Sequence, residues 1–165
     1  MTTPQALALA SAAMLAAAPL RAPAADLPPP EPQPEPVPKR PGDADLAAAR
    51  KAIEAKDWAG AIQCLGQARM LQPRNADVYN LLGYAERNRG NLAAAFAHYD
   101  EALLLDPTHR GAHEYAGEAS LLAGNLARAE EHLAALDKLC ARSCEEYQDL
   151  QKSIVEYRKN HAPAR

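Results

Sequence analysis

Small and apolar residues recur along most of this chain with a fixed period. Ala61, Ala95 and Ala129 are spaced 34 residues apart, and the same interval separates Pro73 from Pro107, Gly83 from Gly117, Gly90 from Gly124 and Asn91 from Asn125. A repeat of this length marks a solenoid of helix pairs, in which each pair buries its apolar face by stacking on the next. Gly90 and Gly124 stand where the first helix of a pair should end, because glycine takes a left-handed C-cap without steric cost. Pro73 and Pro107 close the second helix, since proline lacks an amide hydrogen and disfavours helical geometry in the residue before it. Gly83 and Gly117 fall inside the first helix, where glycine costs about 1 kcal/mol relative to alanine. Such a cost is tolerated where two helices must approach closely.

The pattern continues past the third unit. Tyr147, Leu150 and Ile154 share one helical face, and Glu145, Glu146, Asp149, Lys152, Glu156 and Arg158 occupy the other. A terminal helix that is apolar inside and polar outside is the cap a solenoid needs. The expected fold is therefore all-α, with three helix pairs and a C-terminal capping helix. The predicted helices are 43–55, 58–71, 76–89, 92–105, 110–123, 126–140 and 144–159. They divide a domain over 42–160 into repeats 42–75, 76–109 and 110–143 and a cap at 144–159, followed by a disordered tail at 161–165.

The stretch "DVYNLLGYAERNRGNLAAAFAHYDEALLLDP", from Asp77 to Pro107, resembles the tetratricopeptide repeat family. Its Tyr79, Leu82, Gly83, Ala95, Tyr99, Ala102 and Pro107 fall on the family's signature positions. The unit after it keeps Ala116, Gly117, Gly124, Ala129 and Leu133 but has Ala141 where the closing proline would stand. The unit before it is looser, with Ala48, Ala49, Trp58, Ala61, Leu65, Ala68 and Pro73 in place. The segment beginning "CEEY" after the last repeat also resembles a pattern in small exported bacterial proteins of this family. The resemblance implies a right-handed superhelix whose first helices line a concave, peptide-binding groove. That lining would comprise Leu46 and Arg50, then Asn80, Tyr84, Arg87 and Asn88, then Glu114, Glu118 and Leu122, and finally Gln148 and Lys152. The basic clamp that some family members close on a C-terminal carboxylate is missing. Its positions hold Leu46, Arg50, Leu81, Gly111 and Tyr115.

Composition narrows the class further. The net charge of −3 gives no broad basic field for nucleic acid. The N-terminal apolar run from Ala6 to Ala18 is short for a bilayer span but suits the core of a signal peptide. "APA" at Ala22 to Ala24 fits its cleavage site, although no Lys or Arg precedes the run. Residues 1–24 are thus expected to be an export signal, which places the protein in the periplasm or outside the cell, with a cytoplasmic location as the alternative. No stable membrane insertion is expected after cleavage. The proline-rich segment 25–41 cannot pack a core and reads as an extended, disordered spacer.

Cys140 and Cys144 fall at the joint between the last repeat and the cap. In an exported protein the default for such a pair is a disulfide, with free thiols, or thiol and metal chemistry, as the other readings. Closing so short a loop stabilises by about 2 kcal/mol in the chain-entropy model. Cys64 lies within a helix and reads as a small core residue. His109 and His113 are four residues apart, but His113 takes a packing position and the metal reading is the weaker one. No glycine-rich phosphate loop, nucleophile motif or cofactor fingerprint is present.

These features favour a non-catalytic scaffold that binds a protein or peptide and needs no cofactor. A self-associating structural adaptor is the alternative, and behind it a thiol- or metal-handling protein using Cys140 and Cys144. Tyr84 and Arg87 beside Glu114 and Glu118 suggest a ligand carrying both signs of charge. The export reading makes a direct prediction: the native protein should begin near Ala25 by intact-mass measurement, and residues 1–24 still attached in a soluble cytosolic fraction would refute it.

Overall fold

The computed structural model describes residues 40–161. Export signal, spacer and C-terminal tail, as expected from sequence, lie outside the described residues, apart from Arg40 and Pro41 of the spacer and His161 of the tail. The described residues form seven helices: α1 (Asp43–Glu54), α2 (Trp58–Leu71), α3 (Ala76–Asn88), α4 (Leu92–Leu105), α5 (Arg110–Leu122), α6 (Leu126–Cys140) and α7 (Glu145–Asn160). No terminus differs from its sequence expectation by more than one residue. The architecture is a right-handed superhelical solenoid of three antiparallel pairs, α1–α2, α3–α4 and α5–α6, closed by α7.

Local chemistry starts and stops each helix. Asp57, Asn91 and Asn125, again 34 residues apart, cap the second helix of each pair by accepting from the backbone N–H of Gly60, Ala94 and Arg128. A side-chain acceptor at this position satisfies an amide that has no partner inside the helix, an effect of about 1 kcal/mol. Asn75 and His109 do the same for α3 and α5. Gly90 and Gly124 take positive φ, at 87° and 76°. Lys56 occupies the same place in the first pair, with φ 57°. A non-glycine residue there carries steric strain of about 1–2 kcal/mol.

The core is a row of clusters rather than one centre. Leu46, Ala49, Leu65, Ala68, Val78 and Leu82 form the first, with Cys64 packed against it. Ala95, Tyr99, Ala116 and Ala119 form the second, and Leu121, Ala129, Leu136, Tyr147, Leu150 and Ile154 the third. Ala61, Ala95 and Ala129 are fully buried, which explains their period. The two mid-helix glycines mark the closest approaches. A Cβ on Gly83 would lie 2.4 Å from the Tyr99 ring, and one on Gly117 would lie 2.5 Å from Leu150. The slot in the second repeat is thus filled by a tyrosine of its own pair, and that of the third by a leucine from the cap.

The third joint is built differently from the others. Ala141 and Arg142 both take left-handed backbone conformations, with φ 47° and 68°. Cys140, the last residue of α6, is joined to Cys144 at the start of α7, with a Cα–Cα separation of 5.8 Å. Cys64 is free.

Two opposite outcomes follow for glycine exchange. Lys56→Gly should stabilise the domain by about 1 kcal/mol through release of backbone strain. Gly83→Ala should destabilise it by about 1–3 kcal/mol, since the Tyr99 ring must move to admit the methyl group. Urea unfolding midpoints of the two variants would check both signs.

Candidate functional site: the surface of the first helices

The first helices of the pairs stack in order, with α3 against α5 and α5 against α7. Their shared surface carries an aromatic cluster centred on Arg87. The guanidinium carbon of Arg87 lies 5.3 Å from the centre of the Tyr84 ring and 5.4 Å from that of Tyr115. The two rings are 4.9 Å apart, and Trp58 meets Tyr84 edge-on at 6.0 Å. Arg87 also donates to a carboxylate oxygen of Glu118 across the repeat boundary. Burial opposes its charge, but Tyr99, Glu118 and Tyr84 together hold its pKa above the ordinary value. Arg87, Glu118, Leu121, Leu122 and Ser153 line a cleft of about 230 Å³ between α3, α5 and α7.

The expected lining residues sort into three groups. Tyr84, Arg87, Glu118 and Leu122 come together as described, with Glu114 half-buried one turn before Glu118, and Leu122 is 66% exposed. Arg50, Asn88, Gln148 and Lys152 are on the surface. Arg50 lies 3.7 Å from Asp77, and the Asn88 amide donates to the Tyr84 carbonyl at 2.8 Å. Leu46 and Asn80 sit deeper than the rest, although Leu46 still lines a surface pocket with Arg50 and Asp77. Leu46 is buried in the first core cluster because its helix turns that face toward α2 and α3. Asn80 is only 7% exposed, with its amide nitrogen close to Gly111 of α5.

Charge on this surface also differs from expectation. Arg87 is engaged by Glu118 and flanked by two rings, so it is not an open basic patch. Glu146, read from sequence as solvated, is half-buried and lies 3.6 Å from Arg110. Glu114 has its pKa pushed up to about 7, first by burial and then by Glu118, Asp149 and Glu146. Tyr115 is pushed up to about 12 by burial and by Glu114. Trp58, Tyr115, Glu146 and Asp149 were absent from the expected set. The 34-residue register offered one signal, since it places Tyr115 on the same helix as Glu114 and Glu118.

The two histidines four residues apart part company. His109 accepts the Ala112 N–H on Nδ1 and donates from Nε2 to Asp77 at 3.0 Å. Asp77 thereby raises the His109 pKa, and His109 lowers that of Asp77. His113 instead faces His132, with 3.2 Å between their Nδ1 atoms, and its Nε2 bonds the Pro107 carbonyl. Burial, with His113 alongside, lowers the pKa of His132 to about 4. Among the described residues no group of three or more His, Cys, Asp or Glu side chains is placed to hold a metal ion. No helix among them is long and apolar enough to cross a membrane.

Comparison with known proteins agrees with this architecture. The family model described as Tetratricopeptide repeat matches residues 76–109. No curated protein sequence matches the chain. Among solved structures, the TPR2B domain of yeast Sti1, in its complex with pHsp70, is 16% identical with a TM-score of 0.67. That match covers 73% of this chain and 98% of the other. The TPR domain of Arabidopsis OM64 is 17% identical with a TM-score of 0.65, covering 71% and 96%. The Yersinia enterocolitica type III secretion chaperone SycD, in complex with a peptide of the translocator YopD, is 19% identical with a TM-score of 0.62, covering 72% and 89%. Residues 76–109 match the tetratricopeptide-repeat model, and the described domain has the fold of tetratricopeptide-repeat solenoids.

The raised pKa of Glu114 has a signed consequence for stability. Between about pH 4.5 and 7 the native state holds a proton on Glu114 that the unfolded state has released, so this group's contribution to stability falls as pH rises through that window. Above it the charged carboxylate is destabilising in full. Glu114→Gln should therefore be more stable than the parent at pH 8, by about 1–2 kcal/mol after allowance for solvent screening. The difference should close toward pH 4.5, and urea unfolding of both proteins across this range measures it.

Proposed function

We propose that this domain binds a segment of another polypeptide on the surface formed by α1, α3, α5 and α7, and that it catalyses nothing. The observation that carries the reading is the Tyr84–Arg87–Tyr115 stack beside the exposed side chain of Leu122. Rigid aromatic and guanidinium groups held in place before binding lose little entropy on binding, and such groups dominate interface energetics. The complexes of Sti1 with pHsp70 and of SycD with a YopD peptide support the reading by analogy of fold. We further propose that the protein works outside the cytoplasm, a reading supported by residues 1–24 and by the Cys140–Cys144 bond, which an oxidising compartment favours.

Self-association is the second reading, and one observation favours it. Met70 and Leu104, spaced by the repeat, are 75% and 76% exposed in the last turns of α2 and α4, and Leu71 beside Met70 is 54% exposed. This apolar stripe lies on the second helices, away from the aromatic stack.

Variants at the two surfaces separate the readings. A peptide selected from a random displayed library on the parent protein serves as probe, with affinity read by fluorescence anisotropy. Leu122→Gln should weaken binding about tenfold, equivalent to about 1.4 kcal/mol, with unchanged helicity and melting. Leu104→Gln should leave peptide affinity as it is. A concentration-dependent mass in light scattering that Leu104→Gln abolishes would favour self-association, and peptide affinity unaffected by Leu122→Gln would refute the groove.

A further inference from the structure

The cations on this surface are largely engaged by their own neighbours. Glu118 pairs with Arg87, whose guanidinium lies against Tyr84 and Tyr115, and Glu146 pairs with Arg110. Glu114 and Asp149 enter no ion pair among the described residues, and the exposed Lys152 in the middle of α7 pairs with none of these carboxylates. The packing of α5 against α7, with Arg110 of α5 beside Glu146 of α7 and Glu118 paired to Arg87, thus sets four carboxylates within electrostatic reach of one another and two guanidinium groups among them. Solvated carboxylates on a helix face would repel one another weakly through water and keep ordinary pKa values. Glu114 is half-buried and does not: burial and its three acidic neighbours push it up to about 7 against the opposing pull of Arg87. Next to it, Glu118 shares a cleft with the exposed side chain of Leu122.

We propose, resting on the groove reading above, that the occupant is a polypeptide segment presenting a lysine or arginine between apolar residues. Its cationic head seats among Glu114, Glu118, Asp149 and Glu146, and its apolar neighbours lie against Leu122 and the Tyr115 ring. The attraction follows from the local imbalance: a fixed cation restores the charged form of a carboxylate that is costly to ionise in the free protein. The preference is opposite in sign to that of a carboxylate clamp, whose positions here hold one basic residue, Arg50. It also replaces the mixed-charge ligand expected from sequence, because Arg87 is engaged within the fold.

Charging Glu114 on binding gives a distinctive readout. At pH 7 a group with a pKa of about 7 is roughly half protonated, so seating a cation should release up to about half a proton per complex. The probes are three labelled helical peptides of identical leucine pattern, carrying lysine, glutamine or glutamate at the polar positions. The full chain should bind the lysine peptide at least tenfold more tightly than the other two, with affinity falling as salt rises. Calorimetry in buffers of different ionisation enthalpy should show proton release, and Glu114→Gln should abolish it. Glu114→Gln with Asp149→Asn should weaken the lysine peptide about tenfold, whereas Glu131→Gln with Glu101→Gln, away from this surface and equal in charge change, should not. If the glutamine peptide binds as tightly as the lysine peptide and Leu122→Gln weakens both, the charge preference is overturned and the groove reading stands. If the lysine peptide binds undiminished to Leu122→Gln and to the Glu114/Asp149 variant, both are overturned, and failure of the parent to bind the lysine peptide overturns the preference outright.

Discussion

No helix pair in this chain can bury its own apolar surface, and the fold rests on how one pair is seated on the next. The decisive contact is a bulky side chain set into a slot left by a glycine. Tyr99 fills the slot at Gly83, and Leu150 fills the slot at Gly117. A missing Cβ lets the helix axes approach, and the incoming side chain excludes water over its whole surface. Burial of a side chain of this size contributes about 1.5–3 kcal/mol. The cap helix is therefore part of the third repeat's packing and not a lid on a finished domain. Tyr99 itself is fully buried with no partner for its hydroxyl, so shape rather than polarity fixes it there.

The same stacking sets the chemistry of the candidate site. Because α3 and α5 are held side by side, Arg87 of one repeat meets Glu118 and Tyr115 of the next. The ion pair is partly shielded from water, and the rings limit the guanidinium's freedom, which makes it a fixed element of the surface. Seating α7 beside α5 brings Asp149 and Glu146 toward Glu114 in the same way. The cap thus contributes electrostatics as well as closure. A surface whose guanidinium groups are internally matched and whose carboxylates are crowded differs in character from one read off the residue types alone.

What was legible in the sequence follows from this division. Helix ends were readable almost to the residue because caps, glycines and prolines act within a few residues of themselves. Asp57, Asn91 and Asn125 each cap the helix that begins beside them, and Gly90 and Gly124 each end one. Tyr84, Arg87 and Glu118 could be placed on one surface because the repeat carries facing from unit to unit. What was not legible is how deep each position sits and what it meets across a repeat boundary. Leu46 and Asn80 lie at register positions that would face a groove, yet both are buried. The pairing of Arg87 with Glu118 spans 31 residues and depends on the separation of two helix axes, which a period does not specify. Glu146 looked like one of a run of surface acids, and only its position against α5 distinguishes it from Glu145.

The two ends of the domain are secured unequally. At the N-terminal turn Lys56 holds a left-handed conformation that glycine would adopt without strain, while the C-terminal joint is crosslinked by Cys140 and Cys144. In a linear stack, where each unit leans only on its neighbours, such asymmetry gives opening a direction. The molecule should unzip from α1 inward, leaving the α5–α6–α7 end as the last folded seed. Glu114, Glu118, Tyr115 and Leu122 all sit on that seed. The residues proposed to recognise a partner would then outlast the rest of the scaffold under heat, force or protease.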